Sequence, residues 1–339
     1  MAVVKASNPT LYDVAGYISG QSAPKIMIEA LSKVNGFFDD ITMIEANNGT
    51  SNDAQIRSGL PTGTWRKYYQ GVQPEKSARV QVSDKSAQLT SYSNLDKGLH
   101  DRQGANAGAW RKSEDVAFFE GLSQTMLDAL FYGDISTDTS KFNGLSARYS
   151  TLNPAVPISA NVLNAGGVGD DNSSIWVVQW SPQTVAMFYP QGTQAGLQVM
   201  DKGMQTVTAP AEMGGGQYEA YQTYFEWNAG LSVMDWRSAV RVANIDVSLL
   251  TANISTGADL PSLVDDALDQ LPTVAGARVV IYMSKKVHQM FKKQIEFKSN
   301  YQMKKEDYYG NGRKVATYNG EVVRVVEQLL DTEAAVTAA

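Results

Sequence analysis

The chain has 339 residues, 43% of them hydrophobic and 19% charged, which is a folded-protein composition with room for two or three domains. Its formal net charge of −6 gives no overall positive field for nucleic acid or an anionic membrane. No cysteine is present, and the two histidines, His100 and His288, are expected at the surface. The chain therefore has no residues for disulfide bonds or a thiolate metal site, and almost none for a Ser-His-Asp triad. No stretch predicts a signal peptide or a membrane span, so we expect no contact with a membrane.

The first 44 residues predict an arm followed by a short helix. Residues 1–23 are polar and rich in Gly and Ser, and their few apolar anchors include Tyr12 and Tyr17. Such a segment has no core of its own and is expected to lie extended against another protein surface. The run from Pro24 to Asn35 has apolar residues at helical spacing, so residues 24–44 are interpreted as a helix and its lead-in.

Residues 45–97 are interpreted as a long two-stranded excursion. The sequence predicts strands at 64–72 and 78–84 around a turn at 73–76, with Trp65, Tyr68 and Tyr69 in the first strand. Isolated hairpins are marginal in water, so these rings need a surface to cover them. Two alternatives remain open: a base-stacking platform for single-stranded nucleic acid, or burial against another copy of the chain. The candidate intersubunit contacts are Trp65, Arg66, Lys67, Tyr68, Tyr69, Pro74, Tyr12 and Tyr17.

The rest of the chain predicts an α+β protein without internal repeats. A helix is expected over 112–133, with Ser113 as its N-cap and Gly133 as its stop. A strand-rich half follows, and the last dozen residues are expected to fray. The predicted elements are strands at 174–180 and within 221–245 separated by a Gly-rich connection, helices at 259–271 and 284–298, a strand at 277–283, and a hairpin of 314–318 and 321–326 turning at Asn319-Gly320.

Motifs that carry chemistry are scarce. The GGVG run at 166–169 and the GGG run at 214–216 do not pass from a strand into a helix, so they are interpreted as loops. GDDN at 169–172 and the pair Asp134 and Asp138 lack metal-site spacing and are interpreted as solvated loop charge. The lysine-rich helix over 285–298 is interpreted as a solvated face, with an intersubunit or nucleic-acid contact as the alternative. We predict no catalytic residue, no cofactor and no metal.

Several stretches together resemble the major capsid proteins of tailed bacteriophages, in particular a branch typical of short-tailed phages. They are TWRKYYQGVQPEKS (64–77) with the NNGT and RSGLP before it, SEDVAFFEGLSQTMLDALFYGD (113–134) and KFNGL (141–145). The resemblance implies the Hong Kong 97-type capsid fold, with an arm, an extended loop that reaches across neighbouring subunits, a spine helix, and peripheral and axial domains. By position, the arm would be residues 1–23, the extended loop 45–97 and the spine helix 112–133. The peripheral domain would be 98–252, the axial domain 253–330 and a C-terminal tail 331–339. The strands of 221–245 precede the axial segments, which implies a rearranged connectivity.

The resemblance implies a self-assembling structural subunit of an icosahedral phage head, which forms hexamers and pentamers around double-stranded DNA. Its implied partners are itself, scaffolding, portal and decoration proteins, and nonspecifically packaged DNA. It would lie in the virion capsid after assembly in the host bacterial cytoplasm, and it would not be an enzyme. A nucleic-acid-binding module that uses the aromatic and basic hairpin is the alternative function.

Overall fold

A computed structural model describes residues 37–209, 211, 214–298, 304–306 and 315–338. The predicted arm and the helix over 24–35, with Tyr12 and Tyr17, lie outside the described residues. Contacts divide the chain into two compact units, of which the smaller takes residues 88–127 and 196–228 from the described part. The larger takes the described residues within 37–87, 128–195 and 229–338. The arm, loop, peripheral and axial assignments stay predictions.

Helices and strands both occur, as an α+β fold requires. The strands are β1 Met43–Glu45, β2 Ser51–Gly59, β3 Ala78–Lys85, β4 Ala87–Asp96, β5 Val162–Asn164, β6 Asn172–Trp180, β7 Val185–Tyr189, β8 Leu197–Thr208, β9 Gln217–Val233, β10 Ala239–Asp246, β11 Arg278–Met283, β12 Lys304–Glu306, β13 Val315–Tyr318 and β14 Glu321–Val325. The helices are α1 Lys97–Arg102, α2 Ala107–Tyr132, α3 Leu145–Arg148, α4 Leu260–Asp269 and α5 Lys285–Phe297.

The larger unit is built on a mixed sheet with β6 at its centre. Strand β6 pairs antiparallel with β10 on one side and with β11 on the other, and all nine of its residues are buried. Strand β11 also pairs in parallel with β14. Strand β14 pairs with β13, and β13 pairs with β12. A strand buried on both faces reads as a continuous apolar run, which explains the sequence SIWVVQW within β6.

Helices α4 and α5 close the core of the larger unit. Their buried residues, among them Val264, Val287 and Phe291, pack in one cluster with apolar residues of β6, β10 and β11. Local chemistry fixes where each helix begins, because the side chain of Asp259 accepts from the Ser262 amide at 3.3 Å and that of Ser284 accepts from the Val287 amide at 3.4 Å. The predicted helices at 259–271 and 284–298 are therefore confirmed.

The smaller unit combines β4, β8, the first part of β9, α1 and the first part of α2. Strands β8 and β9 form a long antiparallel pair. The rings of Phe118 in α2 and Phe225 in β9 stack at 5.7 Å, and Trp110 is buried beside Leu95. The aromatic side chains of the helix thus hold it against one face of the strands.

The long helix begins earlier than the sequence predicts. Helix α2 starts at Ala107, five positions before the predicted start, so Ser113 lies inside it and the N-cap prediction was wrong. The reason is tertiary, because Trp110 in the early part of the helix is only 1% exposed. Its predicted end is confirmed: the helix stops at Tyr132, and the Gly133 amide donates to the Ala129 carbonyl oxygen at 2.8 Å.

Other predictions divide in the same way between local and long-range features. The strands at 174–180 and 277–283 and the hairpin turning at Asn319-Gly320 are confirmed, and both turn residues have positive φ. The predicted strand at 64–72 was wrong, since residues 60–77 contain no strand and β3 pairs with β2 instead. The predicted connection over 181–220 contains β7 and β8. The expected fraying at the C-terminus was also wrong, because Glu333 is buried and the Val336 amide donates to Asn244 at 2.7 Å.

Candidate subunit interface

The hairpin of β2 and β3 ends in a loop, residues 60–77, that carries the aromatic cluster noticed in the sequence. Trp65, Tyr68 and Tyr69 are 100%, 94% and 105% exposed, and Leu60 is 73% exposed. Pro74 is exposed as well, so six of the eight candidate contacts lie in this one loop. Fully exposed aromatic rings are uncommon on a monomer, because each can bury about 150–250 Å² of surface. We call residues 60–77 the hairpin tip.

The hairpin tip has a defined turn at its end. The Gln70 amide donates to the Lys67 carbonyl oxygen at 3.2 Å, and Arg66 Nη1 donates to the Gln70 carbonyl oxygen at 3.3 Å. Tyr69 has a φ of 67°, a left-handed conformation that costs a bulky residue roughly 1–2 kcal/mol. At the open end of the loop the Thr62 amide donates to Glu75 Oε2 at 2.7 Å. This turn presents both tyrosines outward at the far end of the hairpin.

The charge of the hairpin tip is positive although the whole chain is negative. Residues 60–77 contain Arg66, Lys67 and Lys76 against the single acid Glu75, whereas the chain carries a formal charge of −6. Opposite charge between two patches favours association and restricts its register. An acidic copy of the same chain is thus electrostatically compatible with the tip.

The root of the hairpin is held by buried polar contacts that the sequence did not reveal. Asn52 and Asp84 lie opposite each other on β2 and β3, and both are buried. Asn52 Nδ2 donates to Ser232 Oγ at 2.9 Å, and Arg148 Nη2 donates to Asp84 Oδ1 at 2.8 Å. The one available signal was strand alternation, which places Asp84 on the same face of β3 as Val80 and Val82.

A groove of about 1000 Å³ lies beside this root, within the larger unit. Its apolar walls come from the hairpin and from two loops of the rest of the larger unit, which we call the body. The lining residues include Ile56, Leu60, Val80 and Val82 of the hairpin and Pro157 and Trp236 of the body. The hairpin therefore leaves the body over open space rather than over a packed core.

The carboxylates singled out in the sequence are engaged in turns. Asp134 accepts from the Ser136 amide at 2.8 Å and Asp138 accepts from the Ser140 amide at 3.0 Å, and hydrogen bonds from these serines lower the pKa of both carboxyl groups. Asp170 and Asp171 are exposed. Among the residues that the structure describes, no group of three His, Cys, Asp or Glu side chains could hold a metal ion.

The lysine-rich helix and the histidines have structural surroundings. Of the lysines on α5 and just after it, Lys285, Lys286 and Lys298 form ion pairs with acidic residues of the same chain. The surface placement predicted for His288 was wrong: it is 9% exposed, and burial together with nearby Lys292 lowers its pKa to about 4. The ring of His100 packs against that of Tyr221, with centroids 4.2 Å apart and planes tilted by 40°. In the part of the chain that the structure covers, no helix is long and apolar enough to cross a membrane.

Comparison with known proteins defines the class. The chain resembles the structure reported for bacteriophage Epsilon15 at 30% sequence identity, with a TM-score of 0.78 and full coverage of both chains. It also resembles the bacteriophage JBD30 capsid at a TM-score of 0.51 and 10% identity, over 91% of this chain and 96% of that one. The α+β fold is thus the Hong Kong 97-like fold of phage capsid proteins. A search of curated proteins finds no match.

The particular family follows from the sequence profile. The profile of major capsid protein GP7 matches residues 19–337, and the chain belongs to that family. It is a structural subunit that self-assembles into the icosahedral capsid shell of the virion.

Proposed function

We propose that the hairpin tip is the contact through which one subunit holds its neighbour in the pentamers and hexamers of the shell. The observation that carries this proposal is the complete exposure of Trp65, Tyr68 and Tyr69 at the end of a two-stranded hairpin. Burying three such rings releases on the order of 10 kcal/mol before the entropic losses of association. Repetition of one such contact over a closed shell makes many modest interactions into a stable container.

The contact acts by burial of rings and by charge. Trp, Tyr and Arg are the residue types that anchor protein interfaces, and the tip presents Trp65, Arg66 and Tyr69 within five positions. Lys67 beside them favours an acidic partner surface. We include Pro74 in the contact, and Tyr12 and Tyr17 as arm residues that lie against a neighbouring subunit.

The double variant Trp65→Ala, Tyr69→Ala tests this contact. We expect it to remain folded, because both side chains are fully exposed and contribute little to the core. It should give capsomers or irregular sheets instead of closed shells, as measured by light scattering and negative-stain microscopy. The matched control is Trp65→Phe, Tyr69→Phe, which retains the aromatic surface and should assemble. Normal shells from the alanine variant would refute the proposed contact.

We further propose that the shell encloses double-stranded DNA without sequence preference. The net charge of −6 supports loose contact, because scattered Lys and Arg side chains would meet phosphates without one strongly basic surface. Such contacts weaken steeply as salt rises. Scaffolding, portal and decoration proteins are the further partners, and assembly takes place in the host bacterial cytoplasm. We propose no catalytic role for the chain.

The alternative of a nucleic-acid-binding module is not favoured, because the family and the structural match both describe a capsid subunit. The double alanine variant also separates the two functions. A binding module would lose affinity for a single-stranded oligonucleotide while its assembly state stayed the same.

A further inference from the structure

The hairpin is joined to the body by a small number of polar contacts at its root. Two consecutive cross-strand pairs of β2 and β3 lie at the root, Asn52 with Asp84 and Asp53 with Ser83, and the first of them contacts the body. The side chains of the second pair bond to each other within the hairpin, since Ser83 Oγ donates to Asp53 Oδ1 at 2.5 Å. The first pair faces the body, and both of its members are more than nine-tenths buried.

Asp84 is the centre of the contact with the body. Its Oδ1 accepts from Arg148 Nη2 at 2.8 Å, and its Oδ2 accepts from the Val233 amide at 3.3 Å. The same Arg148 nitrogen also donates to the Leu231 and Asn143 carbonyl oxygens, at 3.1 and 3.4 Å. One ion pair therefore ties β3 to the end of β9 and to the short helix α3.

Backbone packing supports the same point. Gly230 lies so close to the root that a Cβ atom there would meet the Phe188 ring at 2.6 Å and the Lys85 carbonyl oxygen at 2.9 Å. Strand β9 thus approaches the last residue of β3 more closely than a side chain would allow. Contact is tight at the root and ends beyond it, where the groove separates Val80 and Ile56 from Trp236.

We propose that the ion pair of Asp84 and Arg148 sets the direction in which the hairpin leaves the body and so positions its tip for the neighbouring subunit. The positioning matters because the nearest residue of the tip, Ser77, is seven positions from Asp84. At about 3.3 Å of extended chain per residue, a small tilt at the root becomes a large displacement at the tip. With open space beside the hairpin, packing further along cannot replace this ion pair, which we call the clamp. The effect on assembly rests on the proposed function of the tip.

Two substitutions weaken the clamp in different ways. In Asp84→Asn the amide offers one acceptor and one donor group, so either Arg148 or the Val233 amide loses its partner, whichever way the amide is turned. Arg148→Lys keeps the positive charge but replaces a planar fork by a single ammonium group, which cannot serve Asp84 and two carbonyl oxygens in the same geometry. If Asp84→Asn does not fold, Arg148→Lys alone tests the proposal.

The direction of the hairpin can be measured directly, because the chain contains no cysteine. Spin labels are attached at Gln73→Cys in the tip and Thr139→Cys on the body, both exposed positions. Their distance distribution is recorded by pulsed electron resonance on the full-length chain, diluted until it is unassembled. We expect a narrow distribution for the parent chain, loss of that narrow distribution in Asp84→Asn and Arg148→Lys, and loss of closed shells in the same variants.

Asp40→Asn is the matched control, since it breaks another buried pair of the larger unit, in which Arg324 Nε donates to Asp40 Oδ2 at 2.7 Å. It should leave the label distance narrow. A broad distribution in the parent chain, an unchanged one in both clamp variants, or equal broadening in the control would overturn the proposal. Broadening by the clamp variants together with normal assembly of Trp65→Ala, Tyr69→Ala would retain the clamp and refute the proposed function of the tip.

Discussion

Among individual residues, Glu333 anchors the C-terminal segment through buried polar contacts. Its carboxylate accepts from Arg241 Nη2 at 2.8 Å, from Ser174 Oγ at 2.5 Å and from the Tyr132 hydroxyl at 2.6 Å. Both members of the pair with Arg241 are nearly inaccessible to solvent, with 4% and 6% of their side chains exposed. The last segment is therefore part of the fold of the larger unit.

Glu333→Gln should lower the free energy of unfolding by roughly 3–5 kcal/mol, because it leaves the Arg241 guanidinium buried without its counter-charge. Urea unfolding followed by circular dichroism measures the change. Glu327→Gln is the matched control, since its partner Lys285 is 69% exposed and 3.9 Å away, and it should change the free energy by less than about 1 kcal/mol. Equal effects of the two variants would contradict the buried network.

His288 predicts a dependence of stability on pH. Burial, helped by Lys292, lowers its folded pKa from 6.5 to about 4. Below pH 6.5 the unfolded chain binds a proton there that the folded chain binds only near pH 4. The free energy of unfolding should therefore fall by about 3 kcal/mol from this group as the pH drops from 6.5 to 4, and no further below that.

The difference between the parent chain and His288→Gln isolates this effect from the carboxyl groups that titrate in the same range. We expect that difference to change between pH 6.5 and pH 4. A constant difference between the parent chain and His288→Gln across this window would show that folding does not lower the pKa of His288.

Among the elements, helix α2 shows how one substitution can have opposite effects. Gly121 lies in the helix interior with open space around its Cα, whereas a Cβ atom on Gly133 would collide with the Ala129 and Phe142 carbonyl oxygens. Gly121→Ala should stabilise the chain by about 0.5–1 kcal/mol through helix propensity alone. Gly133→Ala should destabilise it, and thermal unfolding of the two variants gives the sign of each. A loss of stability in Gly121→Ala would contradict a continuous helix at that point.

The elements that could be predicted from sequence are those whose ends are set by neighbouring residues. Ser284 caps α5, Asp259 caps α4, and Asn319-Gly320 closes the last hairpin through backbone conformations that these residue types favour. The start of α2 could not be predicted in this way, because it depends on the burial of Trp110. Ser113 is a residue type that caps helices, but its neighbours in sequence do not show that the helix begins before it.

Strand pairing was the less predictable part. The partner of β3 is β2, whose sequence SNDAQIRSG is polar, while the more strand-like residues 64–72 have no pairing partner among the described residues. Composition therefore pointed to the wrong half of the hairpin. For the candidate interface, the aromatic rings of the tip could be singled out from sequence, because they lie in a predicted hairpin with no core of its own. The clamp was not, because Arg148 lies 64 positions from Asp84.

At the level of the molecule, the fold and the interface meet in the hairpin. The family match and the similarity to a phage capsid establish a shell subunit, and the hairpin offers a large apolar and basic surface at its far end. Its root is fixed by a buried ion pair, and its tip has no cover within the described chain. A surface of this kind gains stability when a second subunit covers it.

A cryo-electron microscopy reconstruction of the assembled shell, at a resolution that shows side chains, is the most direct test. We expect the rings of Trp65, Tyr68 and Tyr69 of each subunit to be buried against a neighbouring subunit, in hexamers and pentamers alike. Rings that remain exposed to solvent in the closed shell would contradict the assignment of the hairpin tip as the subunit contact.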